Sequence, residues 1–422
     1  MILLLFLSLW AAALCANLHH GWGPAGVKQH SGYIDVPYRN SSDVHLFFVL
    51  YESQASPATD PLLIFLSGGP GCSSMLAAFA ELGPLHVNLT SGAVYRNAFA
   101  WNANATLLFI DTPVGTGASY TDTFDDYVFD EREFADQMVG FMRGFYAALP
   151  QYAPLELIVA TESFGGHFGP SFGRALVESN FTNFKALAIG NGWVHAARQY
   201  RSYVELADLY ITSAVERAAL HAAYDACALA LSPGSSLGGL AVCFTFMEAV
   251  AEALSLQFGY RINPYDIKDK CETGLLCYNF TAITSLLNDP QVQAALGFKR
   301  VWHQCSTTVF AFLIDDQLTN LEPDLVFLLA AGVRVVLYSG ADDFICNHFG
   351  TQDLLSQLAW PGLQAYLAAP TKRLAYGTAK STRSAHGWLD FVVIANSSHM
   401  VPMTTPAAAL DMISNVVFQR PF

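Results

Sequence analysis

Three observations predict an α/β fold, with a mostly parallel central sheet flanked by helices and a mainly helical insertion over one end. Short runs rich in Leu, Ile, Val and Phe recur at 44–51, 61–67, 106–111, 155–161, 185–190, 333–340 and 389–396. Longer stretches with helical spacing lie between them, such as 130–150 and 170–180. The alternation lapses between about Trp193 and Asp324, where "RSYVELADLYITSAVERAALHAAYDACALAL" and "CFTFMEAVAEALSLQF" read as helices. Strands that are apolar at almost every position suit a sheet covered on both faces. Strand–helix alternation is how such a sheet is wound.

The first sixteen residues, "MILLLFLSLWAAALCA", carry no charged side chain and run into polar "NLHHGWG". That is the apolar core and small-residue cleavage region of a signal peptide, and it is short for a spanning helix, which needs about 20 apolar residues. We expect residues 1–16 to be a leader, 17–192 the first part of the sheet domain, 193–323 the helical cap insertion and its return, and 324–422 the second part. Arg334 interrupts the apolar stretch before 340, and Glu248 and Glu252 interrupt the one around Val250. No membrane span is therefore expected in the mature chain.

A formal charge of −14 argues against a nucleic-acid partner, which requires a basic footprint. Of eight cysteines, Cys15 falls in the leader. Seven remain, allowing three bridges and one free thiol, and six cysteines can pair in about fifteen ways. Sequons at Asn40, Asn88, Asn104, Asn180, Asn279 and Asn396 are glycosylation candidates and agree with a secretory lumen. No HExxH or CxxC is present, and His19 and His20 have no metal-site spacing. We expect neither metal nor cofactor.

The chemistry concentrates in "LELIVATESFGGHF". An apolar strand, then x-Ser-x-Gly, then a helix is the arrangement of a nucleophile elbow, whose sharp turn exposes the serine oxygen above the sheet. Ser163 fits, although Thr161 stands where the pattern has glycine, and an ordinary strand–turn–helix junction with a capping serine is the alternative. A serine nucleophile needs a base and a group to orient it. In such sheets these come later in the chain, on strand ends that converge. Asp342 and Asp343 follow "VRVVLYSG", and His399 follows "LDFVVIAN". His167, on the helix behind the serine, reads as a packed residue. An acyl oxygen that becomes negative needs backbone donors. The Phe164 amide is one candidate, and the loop at Gly68-Gly69 in "IFLSGGPGCSS" supplies another, without the Gly-Lys-Ser/Thr ending of a phosphate loop.

The blocks "SGGPGCSSMLAAFAELGPL", "DTPVGTGASY", "TESFGGHF", "IGNGW", "NPYDIKDKCETGLLCY", "YSGADDFICN" and "HMVPMTTPAAALDM", in that order, resemble the serine carboxypeptidase family, especially its carboxypeptidase-Y-like branch. The resemblance covers nearly the whole mature chain. It implies an α/β-hydrolase fold and release of C-terminal amino acids from peptides and proteins through an acyl-enzyme, favoured at acidic pH. It implies a triad of Ser163, Asp343 and His399, and oxyanion donors at the amides of Gly69 and Phe164. It also implies a carboxyl pair, Glu81 and Glu162, that binds the substrate's terminal carboxylate together with Ser67 and Gly68. The implied disulfides are Cys72–Cys305 and Cys271–Cys277, with Cys227–Cys243 as the remaining pair and Cys346 a free thiol near the site. A vacuolar, lysosomal or secreted location follows, as a monomer or homodimer.

The sequence departs from the family pattern in four places. Ser67 replaces the usual Asn, Phe65 the usual Trp, and Thr161 the first elbow glycine, while "NSSHMVP" replaces "GAGHMVP". Loss of that Asn also occurs in acyltransferase relatives that pass the acyl group to an alcohol, whereas Glu81 and Glu162 favour a peptidase. A non-catalytic protective or binding protein is the third reading, disfavoured because every triad residue type is present.

Overall fold

The structure, a computed structural model, describes residues 15–19, 23–39, 41–231, 237–271 and 276–422. Most of the expected leader and the sequon at Asn40 lie outside these residues. Among them runs an 11-stranded sheet. Its centre is parallel, in the order Thr106–Ile110, Leu62–Leu66, Leu157–Glu162, Phe184–Gly190, Arg334–Gly340 and Gly387–Ile394. Antiparallel strands extend both sides: Cys15–His19, Gln29–Tyr38 and Ser41–Tyr51 on one, Gly377–Ser384 and Thr371–Leu374 on the other.

Four of the six central strands are buried along their whole length and the other two nearly so, because helices cover both faces. One apolar layer packs Phe134, Phe141 and Phe145 of helix Glu131–Ala148 and Phe168 and Phe172 of helix Gly165–Glu178 against Leu62, Ile64, Val159 and Leu187. The opposite layer sets Met75, Phe79, Trp302, Met412 and Val416 against Leu63, Phe65, Phe109 and Val336. Asp130 starts the first of these helices by accepting from the Arg132 and Glu133 amides, satisfying donors that the first turn leaves unpaired.

Between Val194 and Leu321 the chain leaves the sheet. Helices Ser202–Tyr210, Ala214–Ala230 and Leu237–Phe258 enclose a third apolar cluster with Tyr203, Leu220, Phe246, Val250 and Leu254. The Cys227–Cys243 bridge closes this hairpin. Helix Gly238–Phe258 is long and apolar enough to cross a membrane by length and composition alone. Here its apolar side packs within the third cluster, and Glu248 and Glu252 face solvent. The return of the chain is different: Phe280, Ile283, Leu296 and Trp302 join the layer beneath the sheet.

Candidate active site

Ser163 occupies the turn between the strand Leu157–Glu162 and the helix Gly165–Glu178, with φ 63°. A non-glycine residue at positive φ is strained, and strain of this kind collects at functional turns. The backbone on either side over-determines it. The Ser163 amide donates to the Gly190 carbonyl at 3.0 Å, and its own carbonyl accepts from Gly166 and Trp193, each at 2.8 Å.

Thr161, buried in the strand, finds its place against the helix that follows. A β-carbon on Gly165 would fall 2.7 Å from Thr161 Cβ, and one on Gly169 would lie 3.1 Å from its Oγ1. The two helical glycines thus make the notch that a β-branched residue fills. The unusual threonine is packing, not chemistry.

Asp343 lies just beyond the strand Arg334–Gly340, and His399 beyond the strand Gly387–Ile394, on the same edge of the parallel sheet. His399 Nδ1 and Asp343 Oδ2 are 2.9 Å apart, and both residues are buried. Asp343 also accepts from Asn191 Nδ2 at 2.7 Å and from the Ile345 amide at 3.0 Å. Asp342, also buried, pairs instead with Lys268 at 2.9 Å. The Tyr265 carbonyl accepts from the His399 amide at 2.8 Å, and the Tyr265 ring meets the imidazole edge-on at 5.1 Å. A carboxylate that fixes one imidazole nitrogen sets the tautomer and frees the other as a base.

Gly68 and Gly69 pass over the elbow at backbone distance: a β-carbon on Gly68 would sit 2.5 Å from the Phe164 nitrogen and 2.8 Å from Ser163 Cβ. The amides of Gly69 and Phe164 donate to no backbone carbonyl among the described residues. This loop is pinned from several sides. Cys72 is bridged to Cys305, the Ser306 amide donates to the Gly71 carbonyl at 2.8 Å, and Trp302 Nε1 donates to Ser73 Oγ at 3.0 Å. Ser73 in turn donates to Asp111, whose carboxyl burial raises to about 6.

Glu81 ends the short helix after the glycine loop, and Glu162 immediately precedes Ser163. Both are buried, and their carboxyls hydrogen-bond each other, which requires one to hold a proton. Burial raises Glu81 to about 7, opposed by the Glu162 hydrogen bond and His399. Burial, and then the charge of Glu81, push Glu162 well above the ordinary carboxylate range. Desolvation disfavours two charges so close together, and a shared proton results.

A cavity of ≈ 360 Å³ brings these groups together: Ser67, Gly68, Gly69, Glu81, Glu162, Ser163 and His399 all line it. Phe65 does not. It packs edge-on against Trp101, inside the core. On the other side of Ser163, Trp193, Tyr200, Tyr203, Phe244, Met247 and Cys346 line a smaller hollow of ≈ 80 Å³. Cys346 is unpaired and lies beside the Ser163 side chain; burial, Asp343 and Glu162 push its thiol well above its usual range. A thiol so held is a poor nucleophile.

The remaining predicted residues are spread over the molecule. Cys271 is bridged to Cys277 in the cap. Asn88, Asn180, Asn279 and Asn396 are exposed, and Asn104 is half-buried with its amide on Ser414 Oγ at 3.2 Å. His167 is buried behind the elbow and bonded to the Trp193 carbonyl. Sequence reasoning missed Asn191 and Tyr265 as supports of the Asp–His pair. Both stand inside quoted motif blocks, but nothing local distinguishes them from turn residues. Among the described residues no cluster of His, Cys, Asp and Glu could hold a metal.

Parallel sheet, elbow and an Asp–His couple on later strand ends define an α/β hydrolase. A sequence model described as serine carboxypeptidase matches residues 21–419. A serine carboxypeptidase family member of Dictyostelium discoideum is 34% identical over 401 residues, spanning 92% of this chain and 94% of the relative. Carboxypeptidase Y of Schizosaccharomyces pombe is 33% identical, spanning 92% of this chain and 41% of that protein. The crystal structure of a prohormone-processing carboxypeptidase from Saccharomyces cerevisiae superposes with a TM-score of 0.80 at 25% identity, over 93% of this chain and 91% of that one. The chain belongs to the serine carboxypeptidase family and is a hydrolase of that family. Its three disulfides fit the oxidising lumen of the secretory pathway.

Proposed function

We propose that this hydrolase removes C-terminal residues with Ser163 as nucleophile, His399 as base and Asp343 as its orienting carboxylate, and that it works best at acidic pH. Ser163 Oγ attacks the last peptide carbonyl as its proton passes to His399. The Asp343 carboxylate stabilises the imidazolium, and the Gly69 and Phe164 amides receive the oxyanion. His399 then protonates the departing amine, the terminal amino acid leaves, and water hydrolyses the acyl ester by the same route.

One observation carries the choice of an exopeptidase: a proton-sharing carboxyl pair lines the same cavity as the serine hydroxyl. A protonated carboxyl donates to a substrate carboxylate, whereas two ionised ones repel it. With Glu81 raised to about 7 and Glu162 pushed well above the ordinary carboxylate range, the pair keeps a shared proton through the acidic range and loses it only as pH rises toward the Glu162 value. Ser67 offers a hydroxyl, and Gly68 an open backbone, beside it. We further propose residues 193–323 as the cap that bounds the cavity, and a leader and glycans that go with a luminal or secreted protein.

The test is a pH series with N-blocked dipeptides on wild type and Ser163→Ala. Release of the C-terminal amino acid from pH 4 to 6.5, abolished in the variant by roughly ten-thousand-fold or more, is expected. Transfer of an acyl group to an alcohol without peptide cleavage would overturn the assignment.

A further inference from the structure

The carboxyl pair has a third neighbour that reaches it from inside the sheet. Three adjacent parallel strands place Tyr338, Gly190 and Glu162 in register, Tyr338 opposite Gly190 and Gly190 opposite Glu162. Residues paired in this way project from the same face of the sheet. Gly190 has no side chain, and the phenol of Tyr338 lies across the gap. A β-carbon on Gly190 would fall 2.3 Å from Tyr338 Cζ and 2.4 Å from its hydroxyl oxygen. The next position beyond that glycine is Glu162.

Among the described residues the buried Tyr338 hydroxyl has no hydrogen-bond partner, and no donor outside the pair itself reaches Glu81 Oε2 or Glu162 Oε2. A buried hydroxyl and buried carboxyl oxygens left unsatisfied are costly, and one water molecule bridging them satisfies both. We infer that Tyr338 is a positioning residue for terminal-carboxylate recognition: its phenol donates to the Glu81–Glu162 pair from beneath and sets the pH at which the shared proton is lost. This rests on the reading of the pair given above.

Electrostatics agree with the placement. Burial first, then Glu162 and Glu81, push the phenol well above its usual range, so it remains a donor throughout the working pH. The other groups acting on the pair are His399 on Glu81 and Asp343 on Glu162, while Glu162 acts on Cys346 and Tyr265. His86 donates to the Glu81 backbone. None of these is a Lys or Arg, and His399 eases the charge on Glu81 alone, so for Glu162 a neutral donor is the means at hand. A hydrogen bond to the ionised form favours it, so the phenol lowers the pH at which the shared proton leaves.

Tyr338→Phe removes the hydroxyl and keeps the ring over Gly190. KM against pH is measured for a free-acid peptide and its C-terminal amide, with Glu81→Gln/Glu162→Gln alone and combined with Tyr338→Phe. The rise in free-acid KM moves upward by about half to one pH unit in Tyr338→Phe. The amide KM stays flat, and the phenylalanine adds nothing in the double-glutamine background. A Tyr338→Phe curve that overlays wild type, or an equal change for acid and amide, overturns this role while leaving the pair's function standing. A wild-type free-acid KM that does not rise as pH increases overturns both. Unchanged melting temperature in Tyr338→Phe separates either result from misfolding.

Discussion

Glu81 and Glu162 hydrogen-bond each other at the end of a cavity; Glu131 and Asp316 do the same behind the helix that follows Ser163. Both pairs are buried, and in both, desolvation is the largest influence on the carboxyl that is pushed up. Their surroundings differ. Glu131 accepts from Ser171 Oγ at 3.1 Å and Asp316 from Thr319 Oγ1 at 2.9 Å, so each member of the second pair holds one side-chain donor, while Glu131 Oε1 and Asp316 Oδ2 have none among the described residues. The first pair likewise leaves its Oε2 atoms unpartnered, but it shares its cavity with a serine hydroxyl. A proton-sharing pair alone therefore ties elements together, here the helix Glu131–Ala148 to the turn Asp315–Leu318. Only an opening beside it makes it able to read a substrate.

The largest expected effect contrasts the chemistry with both pairs. Asp343→Asn, which keeps the shape but holds the wrong tautomer on His399, lowers kcat by about ten-thousand-fold with little change in peptide KM. Steady-state kinetics at pH 5 check this, and a loss confined to KM contradicts it. A smaller effect separates the two pairs. The Glu131 carboxyl, pushed up by burial, holds its proton in the folded state at pH values where the unfolded chain has lost it. Stability is full below the ordinary carboxylate range and falls as pH rises toward the folded value, because the unfolded state binds fewer protons. Glu131→Gln should flatten the fall in melting temperature between pH 4.5 and pH 7 by roughly 2 °C or more, with the KM profile unmoved. A KM profile that shifts with Glu131→Gln breaks the distinction.

The parts of the site that lie within one strand–turn unit, or follow a strand end, were legible in the sequence. "TESFGG", "YSGADD" and "NSSHMVP" each carry their signal locally, so Ser163, the aspartate pair and His399 stood out. Contacts that depend on register across the sheet were not. Asn191 meets Asp343 across 152 positions, Glu131 meets Asp316 from another element, and Tyr338 faces Glu162 only because strand order sets them either side of Gly190. The flanking strands Gln29–Tyr38, Thr371–Leu374 and Gly377–Ser384 escaped for a related reason. Their polar residues, as in "TKRL" and "GTAKSTRS", lack the continuous apolar run that marks the buried centre. Thr161 looked anomalous only until Gly165 and Gly169 were seen to face it.

The central claim is that a shared proton on Glu81 and Glu162 recognises the end of the substrate chain. Its most direct measurement is KM between pH 5 and pH 8.5 for one peptide as free acid and as C-terminal amide, on wild type and Glu81→Gln/Glu162→Gln. With Glu162 pushed further up than Glu81, wild-type KM for the free acid should climb about tenfold per pH unit once the pair's last proton begins to leave, and the amide should not follow. In the double variant the climb should disappear. A free-acid KM that rises just as steeply without the two carboxyls would contradict the account.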